Sequence, residues 1–335
     1  MLITLYDKVL DALTHHAIDE LGLLPCPPDV DTLPLDTRCY FPLVVVDGKL
    51  GIAFEDVALL LQDTQKRFVQ HRQQQRDSVD PTFEQLTRII VLLKPEHYTA
   101  LNARKQLVLA GHLSLQEELK LLELIFTVPR NTKCSIAWHH RQWLLDQNMA
   151  LTNLELELQL CQRSITLYPR NYYAWNHRHW LLTLIMHDSD RLDQEYKATC
   201  RWIENNVSDH SGLRYLEELL KVHAVASHVP WLEALLVRYP GHESLWCHRR
   251  YCATLFGSDN NDHRFIQGIL TNPPSETQRL LAAKFGLWLC HLDAKWEDTS
   301  LVDNYLYHAQ QLETTPIYLH HWKRHLGPQK RQKDD

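Results

Sequence analysis

The feature that most constrains this chain is a repeated Trp-x-x-Arg. It occurs in Lys133-Cys-Ser-Ile-Ala-Trp-His-His-Arg-Gln-Trp-Leu-Leu145, in Tyr168-Pro-Arg-Asn-Tyr-Tyr-Ala-Trp-Asn-His-Arg-His-Trp-Leu-Leu182 and in Tyr239-Pro-Gly-His-Glu-Ser-Leu-Trp-Cys-His-Arg-Arg-Tyr251. The pairs are Trp138/Arg141, Trp175/Arg178 and Trp246/Arg249. The first two tryptophans are 37 residues apart and the last two 71, which leaves room for one weaker unit between them. That unit is Asp209-His-Ser-Gly-Leu-Arg-Tyr-Leu216, with Leu213 in the Trp position and Leu216 in the Arg position. Another lies upstream, at His97-Tyr-Thr-Ala-Leu-Asn-Ala-Arg104, with Leu101 and Arg104 in register. Self-similarity at a fixed period of this length signifies stacked helical hairpins, each burying its apolar face against the next. The expected fold is therefore all-α, a right-handed solenoid or crescent of hairpin repeats (an α-α superhelix).

Within a unit, Trp and Arg three residues apart share a helix face. Their first reading is structural: Trp fills the gap between helices and Arg hydrogen-bonds carbonyls of the neighbouring hairpin. Helices are expected over Phe83–Leu93, Leu115–Phe126, Asn153–Leu167, Leu192–Asn205, Glu276–Leu292 and Leu301–Leu312. Pro-bearing or polar turns punctuate them at Lys94-Pro95, Val128-Pro129, Tyr168-Pro169, Asn205-Asn206 and Tyr239-Pro240, because Pro cannot continue a helix interior. Asn171 and Ser211 are candidate N-caps.

Upstream of the repeats, residues 1–25 read as an amphipathic helix closed by Pro25, Pro27 and Pro28. Tyr40–Val46 and Leu50–Phe54, joined through Asp47-Gly48, read as a β-hairpin with a type I′ turn. Such a hairpin is marginal alone and should dock on a neighbour. Helix resumes from Glu55 to about Arg76, and Gln73–Pro81 is the linker-like stretch. The resulting division is an N-terminal extension over 1–80, five repeats over 81–256, and capping helices with a charged tail over 257–335. An aromatic and basic segment, Tyr318–Arg324, lies in that tail.

Bulk properties narrow the function. A net charge of −6 gives no general attraction to nucleic acid. Eight cysteines are scattered without a Cys-x-x-Cys pair, as expected of buried thiols in a reducing compartment. The 21 histidines fall largely in the repeat signatures or singly on helices, His-Glu-x-x-His is absent, and no metal is expected on this chain. No signal peptide, membrane-spanning run or C-terminal Cys for lipidation is evident, and the expected location is the cytoplasm.

The Asn-Tyr-x-Ala-Trp-x-His-Arg-x-Trp signature at Asn171–Trp180 resembles the alpha-subunit repeat of protein prenyltransferases, and residues 94–253 carry that resemblance. Tetratricopeptide repeats have a similar period but are built on small residues. The degenerate fourth unit and the hairpin-bearing extension place the resemblance nearest a divergent branch of the family. The resemblance implies an alpha subunit that wraps a beta subunit, the latter holding zinc, the isoprenyl diphosphate and most of the protein-substrate site. It implies a catalytic Lys five residues before the signature Trp, here Lys133, and a Tyr three before the next, here Tyr172, both reaching the diphosphate. Arg170, one repeat after Lys133 in the same position, is a further candidate for diphosphate binding. The turn before Lys133 is longer than in the tighter repeats. For the divergent branch the implied partner is the beta subunit of Rab geranylgeranyltransferase, and the implied substrate a Golgi SNARE that already carries a farnesyl group. The competing expectation is a non-catalytic helical scaffold binding a protein partner.

Overall fold

A computed structural model describes residues 3–74, 81–292 and 299–310. They pack as two compact units that divide between Leu184 and Ile185. In chain order the helices are α1 (Leu5–His15), α2 (Phe54–Gln74), α3 (Pro81–Leu93), α4 (Tyr98–Leu109), α5 (Leu115–Ile125), α6 (Ser135–Gln147), α7 (Leu154–Leu167) and α8 (Tyr172–Ile185). They continue as α9 (Ser189–Asn205), α10 (His210–Val222), α11 (His228–Arg238), α12 (Glu243–Phe256), α13 (Asn260–Thr271), α14 (Glu276–Leu292) and α15 (Thr299–Gln310). Three strands, β1 (Glu20–Leu24), β2 (Val44–Val46) and β3 (Lys49–Ala53), form one small sheet in the order β1-β3-β2.

The helix expected across residues 1–25 stops at His15. A capping box opens α1: the Asp7 N–H donates to Thr4 Oγ1, and the Thr4 N–H to Asp7 Oδ2 at 2.9 Å. Residues 20–24 are a strand instead, running parallel to β3 with Leu21 opposite Leu50 and Leu23 opposite Ile52. The hairpin explains why. Its turn uses Asp47 and Gly48 in the left-handed region, at φ 48° and 75°, as a type I′ turn demands. Closing β2 onto β3 leaves the other edge of β3 with unpaired backbone groups, and β1 satisfies them. Gly48 helps by accepting the Asp19 N–H at 2.8 Å on its carbonyl. The sheet is tied to the repeats where the Leu21 N–H donates to Thr127 Oγ1 at 2.9 Å.

Elsewhere the helices follow the expected spacing with small changes at their ends. Along α2, Leu60, Thr64 and Phe68 form the buried stripe, and Phe68 stacks on Phe83 of α3 at 5.5 Å. Asn153 and Asn171 cap α7 and α8 by accepting the N–H groups of Leu156 and Ala174, each at 3.3 Å. Ser211 is not the cap of α10. Asp209 takes that role, because its carboxylate accepts from both Ser211 and Gly212, and the helix begins at His210. The helix α13 fills the stretch before Pro273-Pro274, opened by an Asp259–Asp262 capping box. The linker expected at 73–81 and the expected helix end at Leu312 lie partly outside the described residues, and the Tyr318–Arg324 segment wholly so.

Arginine partners carboxylates as well as carbonyls. Arg104, 1% exposed, donates from Nε to Glu118 of α5 and from Nη2 to Glu118 Oε2 at 2.7 Å, with Nη1 on Thr87 Oγ1 and the Glu84 carbonyl. From the next signature, His140 Nε2 meets the same carboxylate at 2.9 Å. The pattern repeats one hairpin later. Arg141 grips Glu157 of α7 at 2.6 and 2.9 Å and the Leu119 carbonyl at 3.0 Å, and His177 reaches Glu157 at 3.0 Å. One buried carboxylate is thus bracketed by the Arg of the preceding signature and the His of the following one. The tryptophans fill the space between: Trp138 stacks on Phe126 at 4.3 Å and lies 5.0 Å from His177. Arg178 lies over Trp175 at 5.5 Å and donates to Gln162 Oε1 at 3.2 Å.

In the second unit the same positions carry other chemistry. Leu213 and Leu216 are buried, and Tyr215, two residues after Leu213, donates its hydroxyl to Glu195 at 2.7 Å. Trp246 donates from Nε1 to Gln278 Oε1 at 3.1 Å, and Arg249 pairs with Glu233 and Asp262.

These buried groups set the response to acid. Burial alone would raise the Glu118 carboxyl, but Arg104 and His140 outweigh it and hold it down at about 2; His177 and Arg141 do the same for Glu157, also at about 2. Burial lowers His177 against the pull of Glu157, and burial followed by His248 and Arg249 lowers His228 to about 3. All four groups bind protons more readily when unfolded, so stability falls as pH falls. The loss begins as histidine protonates in the unfolded chain below 6.5, and steepens below 4.5 toward 2 as the unfolded carboxyls protonate. Urea midpoints measured from pH 7 to pH 3 should decline in that order, and Glu118→Gln should flatten the lower limb. Arg104→Ala, which strands a buried carboxylate, should cost about 3–5 kcal/mol by the same measurement.

Candidate functional site

Position five before the signature Trp, or its replacement, holds Glu96, Lys133, Arg170, Ser208 and Gly241 in the five repeats, and position four before it holds His97, Cys134, Asn171, Asp209 and His242. The second set faces inward or caps. His97, Asn171 and Asp209 accept N–H groups at the start of their helices, and His242 Nδ1 lies 3.0 Å from the Ser208 hydroxyl. The first set is therefore left at the loop surface, and only Lys133 and Arg170 among the five are cationic.

The longer turn before Lys133 folds as a 3-10 helix, Pro129–Lys133, with Asn131 and Thr132 buried and Lys133 exposed. Thr132 is the joint. Its carbonyl accepts from Trp138 Nε1 at 2.7 Å and from Asn171 Nδ2 at 2.8 Å, while its hydroxyl also meets Asn171 Nδ2 at 3.0 Å. Lys133 follows Thr132, and Arg170 and Tyr172 flank Asn171, so this buried knot holds the two loops side by side. Lys133 leans toward the second loop, its Nζ 4.5 Å from the centre of the Tyr168 ring. Arg170 is exposed and Tyr172 is 58% exposed, its ring edge-on to Tyr173 at 5.4 Å.

Arg170 stands in the left-handed region at φ 59°, the same register at which Gly241 of the fifth repeat has φ 85°. A side chain there costs roughly 1–2 kcal/mol that glycine avoids. Lys133 also lines a cleft of about 370 Å³, together with Pro95, Glu96, Arg130, Cys134 and Ser135. Burial pushes the Cys134 thiol up, so it is a poor nucleophile. A protonated thiol and one carboxylate make a weak metal set, whereas Lys133, Arg130 and Arg170 suit a multiply charged anion.

The protein prenyltransferase alpha subunit repeat model matches residues 115–148, 154–185 and 229–256, the three hairpins that carry Trp-x-x-Arg. Protein prenyltransferase alpha subunit repeat-containing protein 1 of Danio rerio is 28% identical over 322 residues, covering 78% of this chain and 73% of its own. The Homo sapiens protein of the same name is 29% identical over 300 residues, covering 70% and 72%. The chain thus carries protein prenyltransferase alpha subunit repeats and is similar to these repeat-containing proteins over most of its length. A chain of Candida albicans protein geranylgeranyltransferase-I complexed with GGPP shares the fold, an α-α superhelix, with a TM-score of 0.57 over 91% of this chain and 96% of that one at 16% identity.

Of the residues singled out from the sequence, the structure sets Lys133 and Arg170 on neighbouring loops and Tyr172 at the first position of α8. It places Arg104, Trp138, Arg141, Trp175, Arg178, Trp246 and Arg249 in the core. Sequence reasoning missed Tyr168, Arg130 and Glu96, and gave Asn171 only a capping role. The last could have been found from its double duty, since a buried Asn before a helix has a spare amide to place. Because the exposed residues carry little packing, Lys133→Ala and Tyr172→Ala should leave unfolding free energy within about 1 kcal/mol of wild type. Asn171→Ala, which leaves buried Thr132 partners unmatched, should lower it by about 1–3 kcal/mol; urea denaturation distinguishes the two classes.

Proposed function

We propose that this chain is the alpha subunit of a heterodimeric protein geranylgeranyltransferase. In this reading it supports transfer of an isoprenyl group from its diphosphate to a cysteine near the C-terminus of a membrane-trafficking protein. The observation that carries it is the cationic pair Lys133 and Arg170, exposed on loops that Asn171 and Thr132 lock together, with Tyr172 on the same edge. Alkylation of a thiolate by an isoprenyl diphosphate expels diphosphate, and negative charge grows on the departing group. Cations and a phenol fixed beforehand at that position stabilise the charge as it develops. Arg170 stands at a left-handed φ where the fifth repeat has Gly241, and strained backbone of this kind clusters at functional sites, which supports the reading.

The partner beta subunit would hold the isoprenyl diphosphate and a zinc ion, whose chemistry there would be to favour the thiolate form of the substrate cysteine. This chain contributes Lys133, Arg170 and Tyr172 toward the leaving group. The partner proposed is the beta subunit of Rab geranylgeranyltransferase, and the substrate a Golgi SNARE already carrying a farnesyl group, acted on in the cytoplasm. Among the described residues no helix is long and apolar enough to cross a membrane.

The test is co-purification of the full chain with prenyltransferase beta subunits, followed by labelled geranylgeranyl transfer. A stable complex is expected, with Lys133→Ala lowering the transfer rate about 10²-fold. Arg170→Gly should also slow transfer while leaving the fold as stable or up to about 1 kcal/mol more so, since it relieves the left-handed strain. A complex whose transfer is untouched by both variants would remove the catalytic assignment. Failure to bind any beta subunit would leave a helical scaffold.

A further inference from the structure

The fifth repeat departs from the second, third and fourth at two core positions, and both departures introduce a metal ligand. Six residues after the signature position, the repeats carry Leu107, Leu144, Leu181, Leu219 and then Cys252, all buried. Opposite the residue two after the signature position, Glu118, Glu157 and Glu195 serve the second, third and fourth repeats. In the fifth, His248 meets His228 instead, Nε2 to Nε2 at 2.9 Å. Cys252 is one helical turn beyond His248 on α12, so the two side chains share a face. Ligand atoms of His228, His248 and Cys252 all lie within 4.8 Å of one another, and all three residues are buried.

From this geometry we infer that His228, His248 and Cys252 form a site for a zinc-class divalent cation within the repeat core. Two imidazole nitrogens and a thiolate are the donor types such an ion selects. The outer nitrogens are oriented in the manner of ligating histidines. His228 Nδ1 lies 3.0 Å from the Tyr196 hydroxyl, and His248 Nδ1 faces Glu217 Oε1 at 3.5 Å. Burial keeps His228 neutral and so able to donate a lone pair. The nearby cation, Arg249, is paired with Asp262 and Glu233.

Charge balances simply. One proton leaves the Cys252 thiol, which burial holds protonated up to about 12 without the ion. The proton shared between the two Nε2 atoms passes to the outer side of the pair, so that each Nε2 presents a lone pair to the metal while Nδ1 of His228 donates to Tyr196 and Nδ1 of His248 to Glu217. This site is separate from the Lys133 cleft and does not depend on the transferase reading.

The test uses the untagged full chain, stripped with chelator and titrated with Co(II), then with Zn(II) as competitor. The expected result is one Co(II) per chain, with tetrahedral ligand-field bands and a thiolate-to-cobalt charge-transfer band that Zn(II) abolishes. Cys252→Leu restores the residue the other four repeats use and should fold. It should lose the charge-transfer band and bind Co(II) roughly 10²-fold more weakly, with Cys252→Ser, the closer match in size, behaving alike. Absence of uptake by the wild type would show a hydrogen-bonded histidine pair only and overturn the site. An unchanged spectrum in Cys252→Leu would overturn it equally, by placing the metal elsewhere.

Discussion

A buried carboxylate clasped from two successive hairpins is the interaction on which the first unit of this structure depends. Glu118 and Glu157 are almost wholly buried, yet each has an Arg and a His on it. Removing such charges from water costs several kcal/mol apiece, and the attraction between them returns that only if every donor is placed. Multidentate contacts from a rigid guanidinium meet that condition, and they do so at one spacing only. A hydrophobic pair of equal volume would bind the helices as firmly, but would let them slide. The clasp therefore fixes register from hairpin to hairpin, and apolar packing by Trp138, Trp175 and their aromatic neighbours supplies the adhesion.

Fixed register matters because the loops ride on it. Thr132 accepts from Trp138 of its own repeat and Asn171 of the next, which converts the packing of α6 and α8 into the placement of Lys133 beside the Arg170 loop. Neither cation is needed by the fold. The residue that the core does need sits one position after Arg170, at Asn171, which is fully buried. This adjacency lets a repeat hold its geometry while the exposed position varies freely from Glu96 through Lys133 and Arg170 to Gly241.

Much of this was legible from sequence, and the limits have physical causes. The period, the five signature positions and the type I′ turn were readable because each is a local pattern with one structural solution. The weak units were found by register alone, since Leu213 and Leu216 preserve burial where Trp and Arg are lost. The acidic partners of the arginines went unread. Glu118 and Glu157 belong to other helices and look like ordinary surface glutamates until the hairpins are stacked. β1 was misread as helix because Leu21, Leu23 and Leu24 carry no local signal against helix; the free edge of β3 made them a strand. Arg170 gave no hint of its left-handed backbone until the Tyr-Pro-Arg of one repeat was laid on the Tyr-Pro-Gly of another. The family fold is shown by likeness to solved chains, while the roles of Lys133, Arg170 and Tyr172 rest on chemistry and register.

The second unit shows how far the repeat can drift and still pack. In the fourth repeat, Tyr215 replaces the signature His and a leucine replaces the Arg, and the Tyr215 hydroxyl donates to Glu195 where the clasp would stand. In the fifth, Arg249 keeps its acidic partners but the His meets another His. A carboxylate that stood opposite His248 would have drawn compensation from a cation, as at Glu118 and Glu157. An imidazole there brings no fixed negative charge, and the two rings hydrogen-bond Nε2 to Nε2 in the dry interior. Once the carboxylate is gone, a thiol in place of Leu is nearly free of cost, since buried Cys packs as a small hydrophobe. The same two exchanges that keep this core neutral also bring three soft and borderline donors to one point, so ligand chemistry enters through positions that packing alone would have allowed.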